Sequence, residues 1–212
     1  MERRTVSPVT GVRQQSPVEE TESEFRTRLL GALVASIEEA GYRATTVGDV
    51  VRRARTSRRT FYAHFADKEA CFVALLTDAH TQMIRYISAA VDPRSPWTSQ
   101  VRQAVEAWIE FAESRPAIMV SSIRDVPTLG AAARRLQRET IEAFVAMIQT
   151  LCDSAEWRAV RAGQPVSREL AIMLLGGLRE LTAVTVEDGG RLRDVTDLAV
   201  HACTALLGPD RR

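Results

Sequence analysis

Cysteine is scarce in this chain of 212 residues, with Cys71, Cys152 and Cys203 the only three. They lie far apart and are odd in number. No pair has metal-ligand spacing, so neither a disulfide framework nor a metal site is expected, and they read as reduced thiols inside helices. Long apolar runs are missing as well: no window approaches the roughly eighteen apolar residues that a membrane helix needs, so no membrane partner is expected. Met1 to Glu22 holds charges and prolines but no apolar stretch, which argues against a secretory signal and leaves the cytoplasm as the expected location. A phosphate-binding glycine loop, a metal-spaced His/Cys cluster and a nucleophile elbow are also lacking, and His64, His80 and His201 are not grouped in sequence. An enzyme is therefore not expected, nor any cofactor. Alternating strand patterns and internal repeats do not occur. What remains is an all-α chain of about nine helices.

Charge of one sign is concentrated in one place. Lys68 is the single lysine among 28 basic residues. Between positions 43 and 68 stand Arg43, Arg52, Arg53, Arg55, Arg58, Arg59 and Lys68, against Asp49 and Asp67. That is +5 in a chain of formal net charge +1, so the other residues together carry −4. A local basic patch on a near-neutral chain points to a polyanionic partner for one module.

Residues 1–21, with Pro8, Gly11 and Pro17 and few large apolar side chains, read as a disordered arm. Phe25, Leu29, Leu30, Leu33, Val34 and Ile37 then fall on one face of a helix that Gly41 ends. Thr45 or Thr46 caps a short helix carrying Val47, Val50, Val51 and Ala54, with Asp49 as its acidic first-turn partner. After a break at Arg55–Thr56, Ser57 caps a third helix in which Phe61 and Phe65 share a face. Asp67 caps a long fourth helix that runs out before Asp92-Pro93. Val91 to Pro96 reads as a loop. Further helical patterns follow: Val101 to Ala112, a short apolar segment Ile118 to Ile123, Leu129 to Leu151, Ser167 to Val186 and, after the turn at Asp188-Gly189-Gly190, Arg191 to Leu207.

Two short helices joined by a tight turn form a helix-turn-helix, whose second helix enters the major groove of DNA. Such a helix needs apolar anchors, and Phe61 and Phe65 fit. It needs donors for phosphates at its edges, and Thr46, Thr60, Tyr62, His64 and Lys68 can all donate; Arg55, in the turn, is a further candidate. It needs side chains near its N-terminus that reach base edges, where Ser57, Arg58 and Arg59 stand. Arginine reads guanine through paired bonds to O6 and N7. Spacing alone does not divide the roles of Arg58 and Arg59.

The run Gly41-Tyr42-Arg43-Ala44-Thr45-Thr46-Val47, then Asp49-Val50-Val51, Ala54, Ser57-Arg58-Arg59-Thr60-Phe61-Tyr62-Ala63-His64-Phe65 and Asp67-Lys68-Glu69 closely resembles the DNA-binding signature of the TetR family of transcriptional repressors. It covers about a quarter of the chain. The resemblance implies that Thr60, Tyr62, His64 and Lys68 touch the DNA backbone and that Ser57 to Arg59 face the bases. Where the family has a turn glycine, this chain has Arg55. Glycine takes a left-handed backbone there at no steric cost, and arginine takes it at a penalty.

The resemblance also implies an organisation: a three-helix DNA-binding domain at 22–68, and a helical domain at 69–208 that binds a small molecule and dimerises. The expected function is a sequence-specific DNA-binding regulator, a repressor released from double-stranded operator DNA by a largely apolar effector. Control by a protein partner, constitutive binding and transcriptional activation are the alternatives. Trp108, Phe111, Met119, Phe144, Met147 and Met173 are candidates for an adaptable pocket. Trp97 and Trp157 fall near helix ends or loops and read as surface anchors. Leu170, Leu174, Leu178 and Leu181, with Val195, Leu198, Ala202 and Ala205, mark the last two helices for a homodimer bundle. Gly176-Gly177 inside that pair suggests close helix approach. Arg179 and Glu180, in the same otherwise apolar helix, could form a buried polar site.

Overall fold

In a computed structural model, described for residues 17–208, the described part of the chain is wholly helical. Nothing is described of residues 1–16, so most of the expected arm lies outside the described residues. Helix α1 spans Pro17–Ala44 and so takes in the last residues of that arm. Its inward face is Leu29, Leu33 and Ile37, with Leu30 and Val34 beside them. Gly41, at φ 77°, breaks the helix, and one further turn re-forms with the Thr45 N–H donating to the Gly41 carbonyl. That left-handed position is where a residue without Cβ is least strained.

Helices α2 (Val47–Arg53), α3 (Arg58–His64) and α4 (Lys68–Ala90) follow. Thr46 is the N-cap of α2, and its pairing with Asp49 is a complete capping box. Ser57 caps α3 through the Thr60 N–H, and Asp67 caps α4 through the Ala70 N–H. These bonds satisfy donors that each helix start would otherwise leave unpaired.

The rest of the chain comprises α5 (Trp97–Ser114), α6 (Pro116–Arg124), α7 (Ala131–Leu151), α8 (Ala155–Val160), α9 (Arg168–Glu187) and α10 (Thr196–Leu207). Single 3-10 turns lie at Val126–Thr128 and Leu192–Val195. Among the described residues there are thus ten α-helices, not nine. The expected last helix is divided because Arg193 is held by Glu113 of α5, through both its backbone N–H and its guanidinium. That anchors residues 192–195 as a tighter turn before α10 begins.

Two apolar cores organise these helices. The first joins α1 to α4 through Leu29, Leu33, Ile37, Val50, Phe61 and Phe72, and also takes in Ile118, Val126, Ala133 and Leu136 from α6, the first 3-10 turn and α7. The second is built on Trp108, Phe144, Trp157, Leu174, Leu175 and Val200. Helix α4 serves both: Cys71, Phe72, Leu75 and Leu76 lie in the first, Met83 and Ile87 in the second. The expected boundary after Lys68 falls at the start of this shared helix.

Trp157 is a correction. It is not a surface anchor but is 2% exposed, edge-on to Trp97 with ring centroids 5.2 Å apart. Helix α8, six residues long, is too short to hold itself together. Its stability comes from driving this indole into the second core.

Candidate DNA-reading helix and interior cavity

The turn between α2 and α3 is set by a left-handed residue. Arg55 has φ 51°, its N–H donates to the Arg52 carbonyl, and the Thr56 N–H donates to the Val51 carbonyl. This pair of bonds is a Schellman cap with arginine in the position that glycine usually takes. The substitution read in the sequence therefore leaves the turn's hydrogen bonding intact.

Helix α3 is pinned from below by Phe61, fully buried, and Phe65, 6% exposed, with ring centroids 5.7 Å apart. Its outer face carries Arg59, Tyr62 and Ala63 in solvent. Arg59 lies roughly 160° around the helix from Phe61, directly opposite the buried side. Arg58 lies only about 60° from Phe61. It turns toward α2: a Cβ at Gly48 would stand 3.5 Å from the Arg58 Nη2. Gly48, which the sequence pattern did not single out, leaves room for this guanidinium.

The basic patch divides into paired and unpaired charge. Arg43 bonds Asp125 at 2.9 Å, Arg52 bonds Asp49 at 2.6 Å, and Arg53 pairs with Glu39. Arg55, Arg58 and Arg59 have no acidic partner among the described residues. Two of these three occupy the first turn of α3, which holds no acid. Cations are disfavoured at a helix N-terminus, where the dipole is positive. Helices α2, α4, α8, α9 and α10 each carry an acid there.

Several predicted donors already have internal partners. The Thr46 hydroxyl donates to Asp49 Oδ2 at 2.6 Å. With the backbone bond from Thr46 and the Arg52 guanidinium, this holds the Asp49 carboxyl down at about 2. The Ser57 and Thr60 hydroxyls lie 3.0 Å apart. His64 is half-buried against Phe25 and Phe65. Lys68 departs most from the expectation. Its ammonium turns inward, donates to the Tyr42 and Thr45 carbonyls at 2.8 and 2.7 Å, and sits 4.2 Å above the Tyr42 ring. Burial lowers its pKa. Tyr42 in turn stacks on Phe72 at 4.2 Å. The lysine thus ties the end of α1 to the start of α4, a role visible only once Tyr42 and Lys68 are adjacent in space.

The second core contains a narrow, partly open cavity of about 60 Å³. Trp108, Phe144 and Met147 line it, with Leu174, Leu178 and Cys203. Gln100 is the one amide in its wall, and its nitrogen is already bonded to the Ser95 and Pro93 carbonyls. The Trp108 indole N–H donates to Thr182 Oγ1 at 3.0 Å. The other three pocket candidates lie elsewhere. Phe111 and Met119 border a separate groove beside α1 and α4, and Met173 is 65% exposed on the outer side of α9. Aromatic and methionine content could not separate these sites, because it carries no direction.

A family model described as bacterial regulatory proteins of the tetR family matches residues 29–75, the segment that builds α2, α3 and their supports. The HTH-type transcriptional regulator BetI of Cronobacter sakazakii is 27% identical over 170 residues, 69% of this chain and 84% of its own length. These matches support the TetR family of helix-turn-helix transcriptional regulators, with the family's DNA-binding module at residues 29–75. Two solved TetR-like folds are similar throughout. The fatty acid degradation regulator FadR of Bacillus halodurans superimposes with a TM-score of 0.72 at 15% identity, over 86% of this chain and 97% of that one. FadR of Bacillus subtilis, crystallised with stearoyl-CoA, gives 0.70 at 14% identity, over 84% and 96%. At such identities the likeness is one of fold.

Proposed function

We propose that this TetR-family regulator binds a two-fold operator as a homodimer, represses from it, and is released when an apolar small molecule enters the cavity of the second core. The observation that carries the DNA reading is the set of three unpaired arginines around the N-terminus of an aromatic-anchored helix. That placement costs the isolated fold stability and is relieved by phosphate and base edges. In this reading Arg59, opposite Phe61, reads bases in the major groove. Arg58, turned toward α2, and Arg55 grip the backbone, with Tyr62 and Thr60 beside them. Thr46, Ser57, His64 and Lys68 act mainly by shaping the helix-turn-helix.

Ligand control is favoured over control by a protein partner because the second core is not filled. Its cavity is smaller than the roughly 150 Å³ that admits benzene, so an effector must widen it. Met147 and the short helix α8 are suited to give way. The wall offers no unpaired polar group, which selects a hydrocarbon body. The stearoyl-CoA bound by the Bacillus subtilis FadR, of the same fold, is in keeping with that class.

The division of labour is tested by measuring the affinity of Arg59→Ala and Arg58→Ala for an operator and for base-substituted versions of it. Arg59→Ala is expected to lose ~1–3 kcal/mol and to stop discriminating at one position of each half-site. Arg58→Ala is expected to weaken all sequences alike and to reduce the salt dependence. The reverse assignment follows if Arg58→Ala alone relaxes specificity.

A further inference from the structure

Helix α9 turns one charged residue toward the protein interior. Arg179 stands one turn from Leu175 and one turn from Ala183, which are 3% and 0% exposed. It is half-buried, and among the described residues no carboxylate, carbonyl or hydroxyl bonds its guanidinium. Its neighbour Glu180 cannot serve, because that carboxylate turns outward and is held by Arg124 through two bonds of 2.9 Å. The guanidinium nitrogens are not sealed from solvent, so the site can be reached.

A half-buried cation without a counter-ion gives up part of its hydration with no ion pair to replace it, and such unsatisfied groups gather at functional sites. The surroundings point to the kind of partner it would take. His80, on α4, faces the same region. Its Nδ1 lies 3.0 Å from the Thr140 hydroxyl of α7, and burial together with the Arg179 charge holds its pKa down at about 4. At neutral pH the imidazole is therefore uncharged and adds hydrogen-bonding capacity without a second positive charge. The His80 ring is edge-on to Phe144 at 6.3 Å, and Phe144 is edge-on to Trp108 at 5.6 Å. Phe144 and Leu178, the residue preceding Arg179, both line the apolar cavity. A polar end with a single positive charge thus adjoins an all but apolar chamber.

We infer that Arg179, with His80 and Thr140, receives the carboxylate of an apolar monocarboxylic acid whose hydrocarbon body occupies the cavity lined by Phe144. This rests on reading the cavity as the effector site. One guanidinium matches one carboxylate through two parallel N–H···O bonds and balances its single charge. A phosphate monoester would bring close to two charges to one cation.

The test is calorimetric titration of the full-length protein with octanoate and with octan-1-ol, which share a chain length and differ in the head. Wild type should bind octanoate about tenfold or more tighter than octanol. Arg179→Met should bind the two alike while keeping its affinity for octanol, and Arg179→Lys should retain part of the preference. Unliganded Arg179→Met should melt at or above the wild-type temperature, since an unpaired charge has been removed. Octanol binding with no preference for the acid in wild type would overturn the head-group site and leave the cavity reading standing. A preference that survives in Arg179→Met, or a melting temperature several degrees lower, would show a structural arginine. Failure of both probes to bind wild type would overturn the cavity reading and this inference with it.

Discussion

Lys68 shows how far a side chain's partners can depart from its type. As the only lysine, at the start of α4 within a basic run, it has the chemistry of a phosphate ligand. Its ammonium instead bonds two carbonyls and covers an aromatic ring. Lys68→Met should therefore act on stability first. Two part-buried carbonyls lose a charged donor, which costs about 1–3 kcal/mol, and a denaturant melt of the unliganded protein reads this directly. The salt dependence of DNA binding should stay near the wild-type slope under conditions where the variant is folded. Unchanged stability with a slope lower by about one would restore Lys68 to the phosphate contacts. The arginines behave differently. Arg43, Arg52 and Arg53 are consumed by acids on the protein, so the +5 of the sequence overstates the charge available to DNA. What it understates is placement, since the unpaired guanidinia gather where α3 begins.

At the scale of the helix, legibility followed locality. Ser57 and Asp67 were readable as caps, and Thr46 as one of two candidates with Thr45, because each acts on an amide three residues on. The left-handed backbone at Arg55 was legible only through the resemblance, from the turn glycine that the arginine replaces. Helix α8 was not legible, because Ala155–Val160 is too short to show a helical period; its order comes from Trp157 in a core made by distant segments. The leucine stripe of α9 was legible as a stripe but misread in direction. Leu174 is buried, and Leu170, Leu178 and Leu181 pack against the protein's own second core. The exposed face of α9 instead presents Met173, Gly176, Gly177 and Val184, and α10 presents Leu198, Ala202, Ala205 and Leu206. A Cβ at either glycine would meet nothing within 4 Å, so packing inside one chain does not require them. These faces are the surface we assign to the homodimer bundle, where small residues permit close helix approach. Leu198→Glu, at a position 60% exposed in the single chain, should leave the fold intact and yield monomers in analytical ultracentrifugation. A dimer that persists in Leu198→Glu and in Met173→Glu would place the interface elsewhere.

For the whole molecule, charge pairing sets the response to acid. Arginines hold Glu113, Glu142, Asp153, Glu180 and Glu187 below the ordinary carboxylate range, and the Thr46 cap holds Asp49 at about 2. A carboxylate depressed in the folded state stabilises it above the unfolded pKa and loses that contribution as pH falls through the folded value. His80 acts in the same direction over a higher window. Held neutral down to about 4, it favours the fold fully above its unfolded value near 6.5 and progressively less below. Melting temperature should therefore decline gently from pH 6.5 and steeply below about pH 4. High salt should shrink the steep part, because those pairs are exposed. A flat profile from pH 7 to pH 3 would contradict this pairing scheme. Fold and family were legible across the helix-turn-helix, where every signal is short-range. The cavity, the inward arginine and the outward faces of α9 and α10 depend on which way each helix is turned, and sequence periodicity leaves that undetermined.

The central claim is that this chain reads DNA as a two-fold dimer through α3. The measurement that tests it most directly is selection of bound fragments from a genomic DNA pool, with purified protein at physiological salt. The account predicts an inverted repeat with half-sites about one helical turn, ~34 Å, or a multiple of it apart. Arg59→Ala should recover the same repeat with one position per half-site degenerate. Recovery of sequences without two-fold symmetry, or a wild-type motif unchanged in Arg59→Ala, would contradict it.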